Sequence, residues 1–165
     1  MTGRLIGIAR AAELMAPLEE LSKVSVSVAA GIAGDARGQQ PGRQVTVLFR
    51  EGWHDACREA GRDLHWTARR ANLYVEGLEC PREIGGLLRI GDVLLRVTDE
   101  TKPCALMEQT LAGLRAAMRP EWRGGVCCDV VTGGVISLGD GVSLEPTPPA
   151  EAAPVEGPLQ SPASA

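Results

Sequence analysis

Short runs of valine, leucine and isoleucine, separated by glycine-rich turns, recur along most of this chain and limit the folds open to it. The chain has 20 glycines but only three tryptophans, one tyrosine and one phenylalanine, so its core has to be built mainly from aliphatic side chains. That composition favours short strands and tight turns. A length of 165 residues suits one domain with one sizeable core. We therefore expect a single domain that is rich in β-structure.

Alternating apolar and polar positions predict about seven short strands. They lie in the segments GRLIGIAR, KVSVSV, RQVTVLF, NLYV, GGLLRIGDVLLRV, VCCDVV and VISLGDGVSL. The fifth segment predicts a hairpin that turns at Gly91 and Asp92, and the last two predict a closing hairpin or meander. Helical spacing predicts two helices, over residues 51–62 and 101–119, and Pro120 ends the second. Because strands and helices do not alternate regularly, we expect a β-barrel or strongly curved sheet with short peripheral helices.

The C-terminal segment, residues 145–165, differs in composition from the rest of the chain. It is rich in proline and alanine, and its only larger aliphatic residues are Val155 and Leu159. Such a segment buries too little apolar surface to offset the entropy of ordering. We expect residues 1–144 to form the domain and residues 145–165 to be a disordered tail.

Charge and cysteine usage exclude several classes of protein. The net charge is −4, and the sequence has no cationic leader before a long apolar run and no apolar stretch of about 18 residues. The five cysteines are an odd number without a C-x-x-C pair, which argues against a disulfide framework and a zinc site. We expect a soluble, cytoplasmic protein with reduced thiols and with neither a nucleic-acid nor a membrane partner.

Cys104 lies at the predicted entrance of the second helix. With Thr101 as the N-cap and Pro103 in the first turn, Cys104 would lie among free backbone amides. Those amides and the cation of Lys102 would stabilise a thiolate, which is the form that attacks electrophiles, carries a persulfide sulfur or ligates a soft metal. The alternative is a small buried thiol on the apolar face of the helix.

A series of short motifs makes the chain resemble the MOSC domain, the module named after the C-terminal part of molybdenum-cofactor sulfurases. In order, the motifs are GDARG (34–38), Arg43 before a strand, RRANLYVEGL (69–78), IGGLLRIGDVLLRV (84–97), TKPC (101–104) and RGGVCCDVVTGGVISLGDGV (123–142). Each motif is weak alone, but their order and spacing are fairly specific. The resemblance covers about residues 3–144.

The resemblance implies a β-rich barrel and places the family-typical cysteine at Cys104. It also implies binding of sulfurated molybdenum cofactor (a molybdenum-pterin), with Cys104 as the metal ligand, or carriage of sulfur for metal-sulfur chemistry. Arg70 and Asn72 match the R-x-N element of the family together with Arg69. A guanidinium and a side-chain amide could hold a phosphate or a pterin edge. The alternative is that Arg70 ties a loop to the barrel and that Asn72 caps a turn.

The same motifs contain further candidates for cofactor binding. Asp35 and Arg43 are second choices for cofactor binding, although Gly-Asp is also common turn chemistry. Lys102 completes the candidate cofactor-binding set as a cation beside the thiol.

Several other chemically capable residues have a simpler explanation. Glu108 lies four residues after Cys104 and could accept a proton, but a solvated helix residue is the simpler interpretation. His54 and His65 lack partners at metal-ligand spacing. Cys127 and Cys128 are neighbours in a predicted strand, so their side chains face opposite sides and cannot easily bind one ion.

Three functional hypotheses remain. The first is a stand-alone protein that binds molybdenum cofactor or carries a persulfide sulfur on Cys104, with a cysteine desulfurase or a molybdoenzyme as its partner. The second is a molybdenum-dependent reductase of N-hydroxylated bases or amidoximes. The third is an interaction domain in which Cys104 is structural. The chain is too short for the pyridoxal-phosphate domain of the full sulfurases, so we do not expect it to bind pyridoxal phosphate alone, and the sequence does not predict an oligomeric state.

Overall fold

The structure is a computed structural model that describes residues 2–146. Most of the predicted tail, residues 147–165, lies outside the described residues. The strands are β1 (Thr2–Arg10), β2 (Glu19–Glu20), β3 (Lys23–Ser27), β4 (Gly31–Ile32), β5 (Val45–Phe49), β6 (Leu73–Glu76), β7 (Leu87–Ile90), β8 (Val93–Glu100), β9 (Val126–Thr132), β10 (Gly134–Ser137) and β11 (Gly141–Glu145). The α-helices are α1 (Arg50–Ala60), α2 (Ala105–Thr110) and α3 (Leu114–Ala117), and two short 3-10 helices span Trp66–Arg69 and Pro120–Trp122.

Seven strands form a closed barrel. Their order is β11-β7-β8-β9-β5-β6-β1, and pairing between β1 and β11 closes it. Only β5 and β6 pair in parallel, because α1 and the first 3-10 helix connect them across the outside. The two-residue strand β2 extends β1, and a separate three-stranded sheet has the order β10-β3-β4. The predicted mainly β, barrel-like fold with short helices is confirmed.

The barrel interior is the larger of two apolar cores. Side chains alternate along the strands, so that Val45, Val47 and Phe49 of β5 point into the barrel. Leu48 lies between them in sequence but belongs to the second core. All five residues of β5 are buried because helices cover its outer face.

The second core lies under the helices and holds α2 in place. Trp53 and Met107 are fully buried there, and Trp66 stacks on Tyr74 with ring centroids 5.1 Å apart. Met107 lies three residues beyond Cys104. Its burial therefore fixes the start of α2 against the barrel.

The predicted helix over residues 101–119 is not continuous. It is divided into α2 and α3 by Leu111, which is extended, and by Gly113, which has a φ of +90°. Glycine enters this left-handed region without a steric penalty. The carboxylate of Glu108 accepts a hydrogen bond from the Gly113 amide at 3.0 Å, so this residue serves the junction between the helices.

The two predicted hairpins have different outcomes. The hairpin turning at Gly91 is confirmed, because β7 and β8 pair with Ile90 opposite Val93. The predicted closing hairpin or meander is wrong, because β9 pairs with β8 and β5, β10 pairs with β3, and β11 pairs with β7 and β1. The chain therefore changes sheets between β10 and β11. Strand β11 also includes Glu145, one residue beyond the predicted domain boundary.

Within residues 2–146 no helix is long and apolar enough to cross a membrane.

Candidate functional site

Thr101 anchors the segment that carries Cys104. Its amide donates to the Gly125 carbonyl at 2.9 Å, its carbonyl accepts from Arg69 Nη2 at 2.8 Å, and its hydroxyl lies 3.3 Å from Cys127 Sγ. The residue is buried. Thr101 was predicted to be the N-cap of a helix, and that prediction is wrong because all three of its polar groups are used to fix the end of β8 to the barrel.

Cys104 itself is the N-cap residue of α2. Its backbone is extended, with φ of −115° and ψ of −178°, and its carbonyl accepts from the Met107 amide at 3.0 Å. Its side chain makes no capping hydrogen bond and is exposed. The alternative of a thiol buried on the apolar face of the helix is therefore excluded, because Met107 occupies that face instead.

Cys104 lines a cavity of about 240 Å³. Of the other predicted site residues, Asp35, Arg43, Arg70 and Asn72 line the same cavity, whereas Lys102 is exposed and does not. The remaining lining residues are Ala11, Glu13, Leu14, Met15, Leu18, Ala36, Arg37, Thr46, Arg69, Leu106 and Met107. The fold thus brings together residues that are as much as 96 positions apart in the chain, Ala11 and Met107.

Arg69 is the site residue that the sequence analysis did not select. Its side chain is buried, and it donates from Nε to the Gly124 carbonyl at 3.1 Å and from Nη2 to the Thr101 carbonyl. Nη1 makes no hydrogen bond within the described residues. Burial lowers the pKa of the Arg69 guanidinium to about 10, and the like charge of Arg43 adds to this effect. The residue is still a cation at neutral pH, and the only sequence signal for it was the arginine pair before β6.

Arg70 and Asn72 are each bonded to backbone groups. Arg70 donates from Nη2 to the carbonyl of Ala16, so it ties the loop of residues 11–18 to the barrel. Asn72 donates from Nδ2 to the Ala9 carbonyl at 3.1 Å and accepts from the Thr46 amide at 3.0 Å. Asn72 therefore joins β1 to β5. Both residues line the cavity, but their strongest contacts are structural.

Asp35 and Arg43 differ in how they are satisfied. Both carboxylate oxygens of Asp35 accept from backbone amides, from Ala11 at 3.0 Å and from Arg37 at 3.1 Å. In contrast, the buried Nε of Arg43 has no hydrogen-bond partner within the described residues. A buried donor without a partner is unfavourable, and a ligand that accepts a hydrogen bond would satisfy it.

The lining of the cavity combines charged and apolar side chains. Four arginines line it together with two carboxylates, Glu13 and Asp35, so its ionisable lining is cationic in sum, and Asp35 accepts from two backbone amides. The apolar part consists of Leu14, Met15, Leu18, Leu106 and Met107. Such a cavity favours a small anionic ligand with an apolar portion.

The other four cysteines are less accessible. All five thiols are free, and Cys104 alone is exposed, whereas Cys80 is half-buried and Cys57, Cys127 and Cys128 are buried. Burial raises the pKa of Cys57 and Cys128, and it raises that of Cys80 to about 12. These thiols are therefore protonated at neutral pH.

The remaining candidates lie away from the cavity. His54 is exposed on α1, and the His65 ring accepts from the Thr67 amide at the start of the first 3-10 helix. In the part of the chain that the structure describes, no three His, Cys, Asp or Glu side chains are grouped so as to hold a metal ion.

Solved structures of similar fold include three bacterial proteins. The YuaD protein from Bacillus subtilis superposes with a TM-score of 0.72 at 18% identity, over 87% of this chain and 96% of that one. YiiM from Escherichia coli gives a TM-score of 0.65 at 20% identity, over 87% and 70% of the two chains. YiiM from Geobacillus stearothermophilus gives 0.61 at 19% identity, over 87% and 73%. Among curated protein sequences, none matches the chain.

A family comparison agrees with the barrel and with the motif series. The MOSC domain matches residues 34–143, about two thirds of the chain, and this span contains Cys104 and most of the cavity lining. The chain belongs to the MOSC domain family.

Proposed function

We propose that this MOSC-domain protein carries sulfur as a persulfide on Cys104, binds molybdenum cofactor, or does both. The observation that supports this most directly is the exposed thiol of Cys104 at the edge of an arginine-lined cavity. A thiolate is the nucleophile in sulfur transfer and a soft ligand for metals. The arginines suit an anionic substrate or cofactor.

The transfer step needs no oxidant from outside. The Cys104 thiolate attacks the terminal sulfur of a donor persulfide, a new sulfur-sulfur bond forms at Cys104, and the sulfur-sulfur bond of the donor breaks. The donor leaves as its thiolate and takes up a proton from solvent. The terminal sulfur keeps its oxidation level throughout. A thiolate of the acceptor then attacks the terminal sulfur of the Cys104 persulfide, a new sulfur-sulfur bond forms at the acceptor, and Cys104 leaves as its thiolate.

The residues also fit molybdenum cofactor, which carries an anionic phosphate and a pterin. Cys104 would supply the thiolate ligand, and the unpartnered Nε of Arg43 and the free Nη1 of Arg69 would donate to an anionic group. Two-electron redox chemistry would come from the cofactor when it is bound. The chain itself would bind and orient it and keep the thiol at the edge of the cavity.

The partners follow from this chemistry. We propose a cysteine desulfurase as the sulfur donor and a molybdoenzyme as the acceptor. Reduced thiols are maintained in the cytoplasm, and the five free cysteines are consistent with that compartment.

Mass spectrometry of the intact chain and its peptides tests the carrier function. The protein is incubated with a cysteine desulfurase and cysteine, and we expect the mass of one sulfur atom to be added to the Cys104 peptide. Cys104→Ser should abolish this addition, whereas Cys80→Ser should retain it. Absence of sulfur on Cys104, with labelling of other cysteines, would refute the carrier role.

Metal analysis tests cofactor binding separately. Protein purified from a host that makes molybdenum cofactor should contain molybdenum, and Cys104→Ser should lose it. If the wild-type protein contains none and takes up none from added cofactor, the cofactor-binding role is wrong.

A further inference from the structure

The loop of residues 11–18 presents two large apolar side chains at the cavity. Leu14 and Met15 are 63% and 65% exposed, and both line the cavity that Cys104 lines. Met15 also has a φ of +65°, a left-handed conformation that side chains of its size rarely adopt. Exposed apolar residues in a strained backbone are unfavourable for folding, so they are candidates for a binding role.

The loop is held in this shape by hydrogen bonds from outside it. At its start, the Ala11 amide donates to Asp35 and the Ala11 carbonyl accepts from the Ala36 amide at 2.8 Å. In its middle, the Ala16 carbonyl accepts from Arg70, a residue that itself has a φ of +64°. The bond from Arg70 thus reaches the residue directly after Met15, and it holds this part of the loop at the cavity.

The arginines lie on the cationic part of the same cavity. Nε of Arg43 and Nη1 of Arg69 have no hydrogen-bond partner among the described residues, so each can still donate a hydrogen bond. The volume of about 240 Å³ admits a small molecule rather than a folded partner. A ligand that satisfies both parts of the lining has an anionic group and an apolar body.

We propose that the loop of residues 11–18 is a specificity-determining wall, and that Cys104 reacts preferentially with small anionic molecules that carry an apolar body next to the reacting atom. This inference rests on the proposed reactivity of Cys104. Leu14 and Met15 contact the apolar body, and Arg43 and Arg69 bind the anionic group. Arg70 is a positioning residue, because its guanidinium holds the wall. For sulfur transfer, the substrate class is a low-molecular-weight persulfide of this description, formed when the thiolate of a small thiol takes the terminal sulfur from the persulfide of the cysteine desulfurase.

Four iodoacetyl probes separate the effects of charge and apolar surface. They are iodoacetamide, iodoacetate, N-phenyl iodoacetamide and 4-(iodoacetamido)benzoate. In each case the Cys104 thiolate displaces iodide, so one carbon-sulfur bond forms and one carbon-iodine bond breaks. The rate at the Cys104 peptide is measured by mass spectrometry and divided by the rate of the same probe with N-acetylcysteine, which removes the intrinsic reactivity of each probe.

For the wild-type protein we expect the benzoate probe to have the highest normalised rate. Replacing Leu14 and Met15 together by alanine should reduce the preference for aryl probes about tenfold, which corresponds to the loss of part of one buried apolar side chain. It should leave the ratio of iodoacetate to iodoacetamide unchanged. Arg43→Gln should lower the ratio of iodoacetate to iodoacetamide and leave the preference for aryl probes unchanged. Ile84→Ala removes a residue that is also 65% exposed but does not line the cavity, and it should change neither ratio.

Arg70 is tested by a pair of variants. Arg70→Ala should lose the aryl preference while the charge preference remains, and Arg70→Lys should restore part of the aryl preference if its ammonium reaches the Ala16 carbonyl. A loss of charge preference in Arg70→Ala would refute the positioning role, because it would mean that Arg70 binds the anionic group.

The outcomes separate this inference from the proposed function. If the double alanine variant retains the wild-type aryl preference and its melting temperature, the wall does not contact the ligand and the inference is wrong. That result is compatible with persulfide formation on Cys104. Conversely, the wild-type protein could react fastest with the benzoate probe and yet carry neither persulfide nor molybdenum on Cys104. That result would support the role of the loop in specificity and refute the proposed function.

Discussion

Arg69 shows how one residue can build a site that it also lines. Its guanidinium joins the Gly124 and Thr101 carbonyls, so it fixes the segment that leads to Cys104 against the turn before β9. The same burial that lowers its pKa to about 10 removes its charge from water, while leaving it protonated at pH 7. An anion in the cavity would offset that desolvation.

Gly124→Ala should disturb this arrangement. A Cβ at Gly124 would overlap the Thr101 carbonyl and lie 3.1 Å from Arg69 Nη2, so the segment carrying Cys104 has to move. We expect a loss of about 1–3 kcal/mol in the free energy of unfolding and a slower reaction of Cys104 with iodoacetate. Urea denaturation and peptide mass spectrometry measure the two effects. Gly141→Ala is the control, because a Cβ there meets nothing within 4 Å, and an equal effect in both variants would refute the steric explanation.

Alkylation at pH 8 should modify Cys104 before the other cysteines. A thiol with a pKa of about 12, as for Cys80, is ionised to only about one part in ten thousand at that pH. Burial also limits access to Cys57, Cys127 and Cys128. Because a raised pKa is titrated only at high pH, Cys80 should begin to react as the pH rises toward 12. Time-resolved peptide mass spectrometry measures the order, and labelling of Cys80 ahead of Cys104 at pH 8 would contradict it.

At the scale of elements, the apolar pattern after β8 predicts which residues are buried but not where the helix breaks. Helical spacing predicts one apolar face formed by Leu106, Met107, Leu111, Leu114 and Met118. Met107, Leu114 and Met118 are fully buried in the same core, and Leu106 and Leu111 are half-buried against it. The spacing identifies which residues are buried, but it does not show that the helix is continuous. The break depends on the left-handed conformation of Gly113, which a single glycine in a helical pattern does not reveal.

Gly113→Ala distinguishes the broken helix from a continuous one by the sign of its effect. In a continuous helix, replacing glycine by alanine would stabilise the protein by about 0.5–1 kcal/mol. At the observed φ of +90°, alanine is strained, so we expect a loss of about 1–2 kcal/mol although a Cβ there meets nothing within 4 Å. Gly113→Asn should cost less, because asparagine tolerates the left-handed region better. Urea denaturation gives the sign, and stabilisation by alanine would exclude the break.

From the sequence, only those site residues that lie within a recognisable motif could be predicted. Cys104, Arg43 and Asp35 all belong to the motifs that resemble the MOSC domain, and they line one cavity. The loop of residues 11–18 could not be predicted, because the bond that shapes it joins residues 54 positions apart, Arg70 and Ala16. Lys102 was selected for its position next to the thiol, yet sequence proximity does not determine on which side of the chain it lies.

At the scale of the whole molecule, β1 is central to closure of the barrel. It pairs with β6 on one side and with β11 on the other, and its outer end receives β2. The β1–β6 pairing is reinforced at the surface, where Glu76 of β6 accepts from Arg4 of β1 and from Arg50 of α1. The loop that follows β1 is the wall of the cavity. Closure of the barrel and formation of the site therefore depend on the same strand.

Glu76→Gln should lower the melting temperature at pH 7, and the difference from wild type should disappear in acid. Hydrogen bonds from Arg4, and then from Arg50, lower the pKa of the Glu76 carboxyl. A carboxyl whose pKa is lowered by folding stabilises the protein at a pH above its unfolded value of about 4.3, and that contribution is lost as the pH falls through the folded value. Thermal unfolding at a series of pH values between about 7 and 2.5 measures the difference.

Glu20→Gln is the matched control for this experiment. Like the half-buried Glu76, the exposed Glu20 lies on a strand paired with β1, but it makes no ion pair within residues 2–146. We expect its substitution to leave the melting temperature nearly unchanged at every pH. If Glu76→Gln instead lowers the melting temperature equally at pH 7 and in acid, the effect does not depend on the carboxylate charge, and the arginine pair contributes nothing electrostatic to closure between β1 and β6.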